Sequence, residues 1–273
     1  MVDIIALRGG LGNQLFGWAL GQQLAASGRT VWYDTSVLSG ARTLDLGPLL
    51  VGHKLVQFGP RVWRRLSSGA AEREWVGKRC VVEAGGRFDD RVLRPAASLR
   101  FIFGYWQSWR YFDDCASLIE SRLTAWLSEL YSPPAYGDDN FVAVHVRRGD
   151  YVTDPAANAA LGTLDISYQR AAVDFLAASG DARFKVFTDD REWSVARFAD
   201  DDRVVVAPPA TTAAHDLAGL ASGNKLVCAN SSFSWWAGWL VWRRGGTVIV
   251  PRNWFNDPSL HNADMVPDAW IRL

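Results

Sequence analysis

His145-Val146-Arg147-Arg148-Gly149-Asp150-Tyr151 is entered from an apolar run that begins at Phe141. Such a run ending in two arginines and a carboxylate reads as a buried strand that delivers charge to the edge of a sheet. Ligands of open α/β sheets sit at the carboxyl ends of strands, and a guanidinium fork there suits a phosphate or a carboxylate. The same heptapeptide also reads as a strand end capped by a solvated, salt-bridged cluster. Three other segments decide between the two.

Near the N-terminus, the apolar strand Ile4 to Leu7 runs into Arg8-Gly9-Gly10-Leu11-Gly12-Asn13-Gln14, and a helical pattern follows (Leu15, Phe16, Ala19, Leu20, Leu24). Strand, glycine turn and helix let backbone N–H groups approach an anion. No Gly-Lys-Ser/Thr follows, which excludes a P-loop enzyme, and the Gly-x-Gly-x-x-Gly spacing is not met. The amides of Asn13 and Gln14 donate and accept, as sugar hydroxyls require. Phe184 to Thr188 forms a second strand ending in charge, Asp189-Asp190, which could accept from a ribose or a guanine edge or cap the helix 191–198. In Asn230 to Leu240, small hydroxyl residues precede an aromatic helix and offer another anion-receptive N-terminus. Its tryptophans at 235, 236, 239 and 242 fall at helical spacing and read as packing.

Together these segments resemble glycosyltransferase family 11, the bacterial and animal α-1,2-fucosyltransferases. The resemblance is carried by Gly9 to Phe16, Gly104-Tyr105-Trp106-Gln107-Ser108 with Tyr111-Phe112, the 145–151 stretch, Phe187 to Asp190, Asn230 to Leu240, Pro251 with Trp254-Phe255, and Pro267-Asp268 with Trp270. It implies an α/β, GT-B-like fold of two Rossmann-like domains facing across a cleft. It also implies inverting transfer of L-fucose from GDP-β-L-fucose to the 2-hydroxyl of a terminal galactose, with no metal and no other cofactor. On the matching positions, His145, Arg147 and Arg148 would contact the nucleotide, with Arg147 on the β-phosphate. Asp189 or Asp190 would read guanine or ribose, and Ser231, Ser232 and Phe233 would hold the diphosphate. Gly10, Gly12 and Asn13 would reach the donor from the N-terminal domain. The chain departs from the family at Gly17-Trp18, Trp109-Arg110 and Ser222 to Lys225, all outside the proposed phosphate site.

Charge chemistry accords with the metal-free expectation. The leaving diphosphate gains negative charge, and a pre-placed cation stabilises it best. No Asp-x-Asp stands in a suitable place: the acidic runs are pairs and Asp200-Asp201-Asp202, so Arg147, helped by Arg148, is expected to supply the charge. The general base stays open between Asp150, which two adjacent arginines would hold ionised and weakly basic, and His145. Asp150 reads first as an anchor for an arginine. Aromatic faces stack on sugars, so Trp106, Gln107 and Trp109 are the expected acceptor shelf, with core packing the other reading of the two tryptophans.

Two domains are expected, an acceptor-side α/β domain over 1–136 and a donor-binding one over 140–273, joined by the Pro-rich stretch 132–139. The second alternates strand and helix, the pattern of a parallel, doubly wound sheet. Lys plus Arg balances Asp plus Glu at 29 each in 273 residues, which argues against nucleic acid as a partner. The locally basic segment 61–79 reads as a solvated helix face or as a contact with an anionic membrane or a lipid-linked acceptor. Three scattered cysteines suggest no disulfide framework. With no signal peptide or apolar span in view, a cytoplasmic enzyme is expected, either free or peripheral at the inner face of the membrane. Two rivals stand: another GDP-fucose-dependent transferase (α-1,6 or protein O-linked), and a non-catalytic nucleotide-sugar-binding protein.

Overall fold

The computed structural model describes residues 1–38, 42–68, 79–83, 86–94, 98–130, 141–181, 183–258, 260 and 263–273. The chain divides into two compact units, Met1–Leu123 with His261–Val266, and Thr124–Leu260 with Pro267–Leu273.

The first unit opens with strand β1 (Val2–Ala6) and helix α1 (Leu11–Ala26), the strand-turn-helix legible in the sequence. Next come β2 (Thr30–Asp34), β3 (Lys54–Val56), α2 (Pro60–Ser68), β4 (Cys80–Val82) and β5 (Leu99–Phe103), followed by α3 (Ala116–Leu130). The strands form one parallel sheet in the order β3-β2-β1-β5-β4, with Ile4 beside Trp32 on one side and Phe101 on the other. Sequence order runs outward from β1 to β3 and then returns beside β1 with β5. The switch point therefore lies between β1 and β5. Between β2 and β5 the chain adds β3 and β4 to this sheet. Both have three residues, too few to show a period.

The second unit contains β6 (Val142–Val146), α4 (Gly149–Thr153), α5 (Pro155–Leu161), α6 (Ile166–Ala178), β7 (Phe184–Thr188), α7 (Arg191–Arg197) and β8 (Val204–Val206). It continues with α8 (Ala213–Ser222), β9 (Lys225–Val227), α9 (Ser232–Arg243), β10 (Thr247–Val250) and β11 (Ile271–Arg272). Its parallel sheet has the order β11-β10-β9-β6-β7-β8. Here the switch point lies between β6 and β9. Every residue of β6 is buried, because helices cover both faces of such a sheet. Trp235, Trp236 and Trp239 on α9 are buried packing, as their spacing suggested, and Trp270 packs on Trp235 with ring centres 5.7 Å apart.

The stretch 132–139 lies outside the described residues. The units divide within α3, between Leu123 and Thr124, and the segment His261–Val266 returns to the first unit. Asp264 fixes that return: it accepts from the N–H of Phe88 at 3.1 Å, pairs with Arg110 at 2.7 Å, and its carbonyl accepts from the Ser108 hydroxyl at 2.6 Å.

Candidate functional site

In the second unit, the charged groups gather at the carboxyl ends of β6 and β7, beside the switch point with β9. Arg147 leaves β6 and meets two carboxylates: Asp150 through Nη2 at 2.5 Å and Asp189, beyond β7, through Nη1 at 2.7 Å. Asp189 also accepts from the backbone N–H of Arg148 at 2.8 Å. Arg148 pairs through Nε with Asp190 at 3.0 Å, and its guanidinium lies over the Trp193 ring, 4.0 Å from the centre. Asp190 also caps α7 by accepting from Trp193 N–H at 3.2 Å. Gly149 makes this packing possible, since a Cβ there would lie 2.5 Å from Asp189 Oδ2.

Behind the arginines, His145 is buried, with its ring centre 5.6 Å from that of Phe233. Burial, reinforced by the charge of Arg147, lowers its imidazole to about 3, so the ring is neutral at ordinary pH. Its Nδ1 makes no hydrogen bond among the described residues. On β9's side, Ser231 caps α9 by accepting from Phe233 N–H at 3.3 Å. Tyr151 donates to the Asn230 carbonyl at 3.1 Å, and Asn230 donates to the carbonyls of Leu161 and Gly162 at 2.8 and 3.1 Å. These bonds fasten the α4–α5 segment to the turn that precedes α9.

In the first unit, the glycine turn after β1 and the 104–107 turn after β5 meet at that sheet's own switch point. Gln107 Nε2 donates to Asn13 Oδ1 at 2.6 Å. Gln14 is spent on structure: it donates to the carbonyls of Gly9 and Thr43 at 3.0 and 2.8 Å and accepts from Asp45 N–H at 3.0 Å. Trp106 is fully buried and edge-on to Tyr111, so it offers no face to a sugar and corrects the expected acceptor shelf. Tyr105 is exposed in its place, beneath the Arg8 guanidinium at 4.4 Å, while Trp109 keeps partial exposure.

Each sheet thus carries polar side chains at its switch point, arginines and carboxylates in the second unit and the Asn13–Gln107 amide pair in the first. Residues 82–273 match the profile of glycosyl transferase family 11. The chain belongs to that family. An Escherichia coli alpha-1,2-colitosyltransferase is 27% identical over 300 aligned positions, covering 100% of this chain and 99% of the relative. A Caenorhabditis elegans galactoside 2-alpha-L-fucosyltransferase is 27% identical, covering 97% of this chain and 74% of that one. Among solved structures, fucosyltransferase NodZ from Bradyrhizobium superposes with a TM-score of 0.51 at 17% identity, over 86% of this chain and 92% of that one. That likeness shows the fold, the two-unit α/β architecture named GT-B.

Within this family 11 chain, His145, Arg147, Arg148, Asp150, Asp189, Asp190, Ser231 and Phe233 belong to the second unit. Gly10, Gly12, Asn13, Trp106, Gln107 and Trp109 belong to the first. Every carboxylate oxygen of Asp189 and Asp190 is already engaged by the chain's own donors. Sequence reasoning missed Asp216, in the first turn of α8, close enough to Asp189 to feel its charge. Burial, opposed by His215 and aided by Asp189, raises its carboxyl to about 6, and it makes no hydrogen bond or ion pair among the described residues. The acidic residue opening a helix before Asn230 was the available signal. Among the described residues, no three His, Cys, Asp or Glu side chains are grouped to hold a metal ion, and no helix is long and apolar enough to cross a membrane.

Proposed function

We propose that this chain transfers L-fucose, or a closely related deoxysugar, from its GDP-β-linked donor to the 2-hydroxyl of a terminal galactose, inverting the anomeric centre without a metal. Membership of family 11 and the activities for which the two relatives are named support the sugar and the linkage. The observation that carries the reading is Arg147, held between Asp150 and Asp189 at the carboxyl end of the central strand.

Two carboxylates fix the guanidinium in place before substrate arrives, so little reorganisation is needed as charge develops on the leaving diphosphate. Arg147 takes the β-phosphate, and the N-terminus of α9, with the hydroxyls of Ser231 and Ser232 and the backbone at Phe233, takes the remaining phosphate oxygens. Asp150, paired with Arg147, acts as its anchor. Because Asp189 and Asp190 are engaged, Asp216 is the carboxylate assigned to the N–H edge of guanine. His145, neutral and aromatic, packs beside the base with Phe233. The acceptor is handled in the first unit by Asn13, Gln107 and Tyr105, amides for hydroxyls and an aromatic face for C–H groups.

The product decides the linkage. Incubation with GDP-fucose and lactose, followed by NMR of the trisaccharide, is expected to show a correlation from the fucosyl anomeric proton to galactose C2. A correlation to a C6 carbon, or binding of GDP-fucose with no product on any galactoside, would replace this reading with one of its rivals.

A further inference from the structure

Glu83 follows β4 and takes no part in the chemistry described above, yet its carboxylate sits beneath the turn that carries Gln107. Its Oε2 accepts from the N–H of Tyr105 at 2.6 Å and its Oε1 from the N–H of Trp106 at 2.9 Å. The N–H of Gln107 also bears on it, and the nearby cation of Arg8 works against the rise that burial imposes on its carboxyl. The turn is costly to hold. Trp106 has φ 57°, a left-handed conformation that a bulky residue adopts only when its surroundings impose it. Gly104 makes room: a Cβ there would lie 2.4 Å from Glu83 Cβ and 2.8 Å from its Oε2. Trp106 is anchored by complete burial, and Ser108 N–H closes onto the Trp106 carbonyl at 2.8 Å. Gln107 leaves this pinned turn and reaches Asn13 at 2.6 Å.

Burial raises the Glu83 carboxyl above its ordinary value, and its bonds to backbone N–H groups oppose that rise by stabilising the charged form. The carboxylate is a strong clamp, since charge-assisted bonds of this kind are about twice as strong as neutral ones. We propose that Glu83 is a positioning residue for transfer: its carboxylate clamps the 104–107 turn and so sets Gln107, and through it Asn13, for the acceptor hydroxyl. The proposal rests on the fucosyl-transfer reading.

The test compares Glu83→Ala and Glu83→Gln with Gln107→Ala and the double variant Glu83→Ala/Gln107→Ala. Amide hydrogen exchange of the peptide spanning 100–112 reports the clamp without reference to activity. Both Glu83 variants should exchange faster at Tyr105 and Trp106, with Gln, which keeps one acceptor oxygen, less affected than Ala. With GDP-fucose and lactose, Glu83→Ala should lower kcat by roughly tenfold to a hundredfold, while KM for GDP-fucose and GDP affinity stay within about twofold of the unaltered chain. In the Gln107→Ala background the same change should cost little, because both act through one arrangement. Effects that add in full, accelerated exchange with unchanged kcat, or GDP affinity falling in step with kcat would each overturn the proposal. Should Glu83→Ala fail to fold, Glu83→Gln carries the same comparison. Absence of fucosyl transfer by the unaltered chain would instead overturn the reading beneath it.

Discussion

Asp189 holds two consecutive arginines at once: one oxygen pairs with Arg147 Nη1 at 2.7 Å and the other accepts from Arg148 N–H at 2.8 Å. The carboxylate therefore orients the guanidinium proposed to meet the β-phosphate and pins the backbone that carries it. Arg147→Ala is expected to cost about 3–4 kcal/mol of barrier, roughly 100- to 1000-fold in kcat. Arg147→Lys should recover little, since the fork is lost. Steady-state kinetics with melting temperature as a control checks both, and more than about a tenth of normal activity in Arg147→Ala would sink the role.

Gly149→Ala separates the geometry from the charges. The new methyl would sit 2.5 Å from Asp189 Oδ2, so Asp189 must leave its place between the arginines. We expect GDP affinity, read by calorimetry, to fall by roughly tenfold or more, the scale of one broken charge-assisted bond. Unchanged affinity would show that the Asp189 pairing is incidental to donor binding.

Asp216 gives a pH test of the guanine assignment. Its carboxyl, raised to about 6 by burial, is ionised above that pH and protonated below it. Guanine N–H groups need the ionised acceptor, so affinity for GDP-fucose should weaken as pH falls through about 6. Asp216→Asn should bind weakly throughout and lose that dependence. A titration curve that the substitution leaves unaltered would remove Asp216 from the base site.

His145 governs stability in acid more than catalysis. Its folded value, about 3, lies below the ordinary 6.5, so below pH 6.5 the unfolded chain takes up a proton that the native one refuses. Native stability is therefore lost as pH falls from 6.5 toward 3. At pH 5 this amounts to about 2 kcal/mol relative to pH 8. In His145→Gln, urea unfolding at the two pH values should differ by correspondingly less. The opposite sign is expected of Asp216, whose native form binds a proton first as pH falls through about 6.

Asp3 supports the fold alone. It is fully buried and accepts from Arg29 Nη2 at 2.7 Å and from Arg100 Nε and Nη2 at 2.8 and 2.9 Å. Asp3→Ala would leave two buried cations without their partner, at about 3–5 kcal/mol. Urea unfolding should register that loss, while the arginines of the second unit keep their GDP affinity at temperatures where the variant remains folded.

The second unit was legible because its strands and helices alternate along the chain: Phe184 to Thr188 was bounded to the residue, and the run from Phe141 into His145 is β6. The first unit was less so. β3 and β4 have three residues each, and partners distant in sequence define them as strands. The Asp3–Arg29–Arg100 cluster joins residues up to 97 positions apart, which no local pattern marks. At the site, Arg147 and Asp150 could be read from their adjacency. The roles of Asp189 as a bridge, Trp106 as buried packing and Glu83 as a clamp depend on which strand ends the topology brings together.

Metal-free transfer that depends on Arg147 stands or falls on GDP release from GDP-fucose with lactose as acceptor, measured with and without EDTA. Release is expected to require the acceptor, to be unchanged by EDTA and to be nearly abolished in Arg147→Ala. Release that EDTA stops and a divalent ion restores, or that proceeds undiminished in Arg147→Ala, would contradict it.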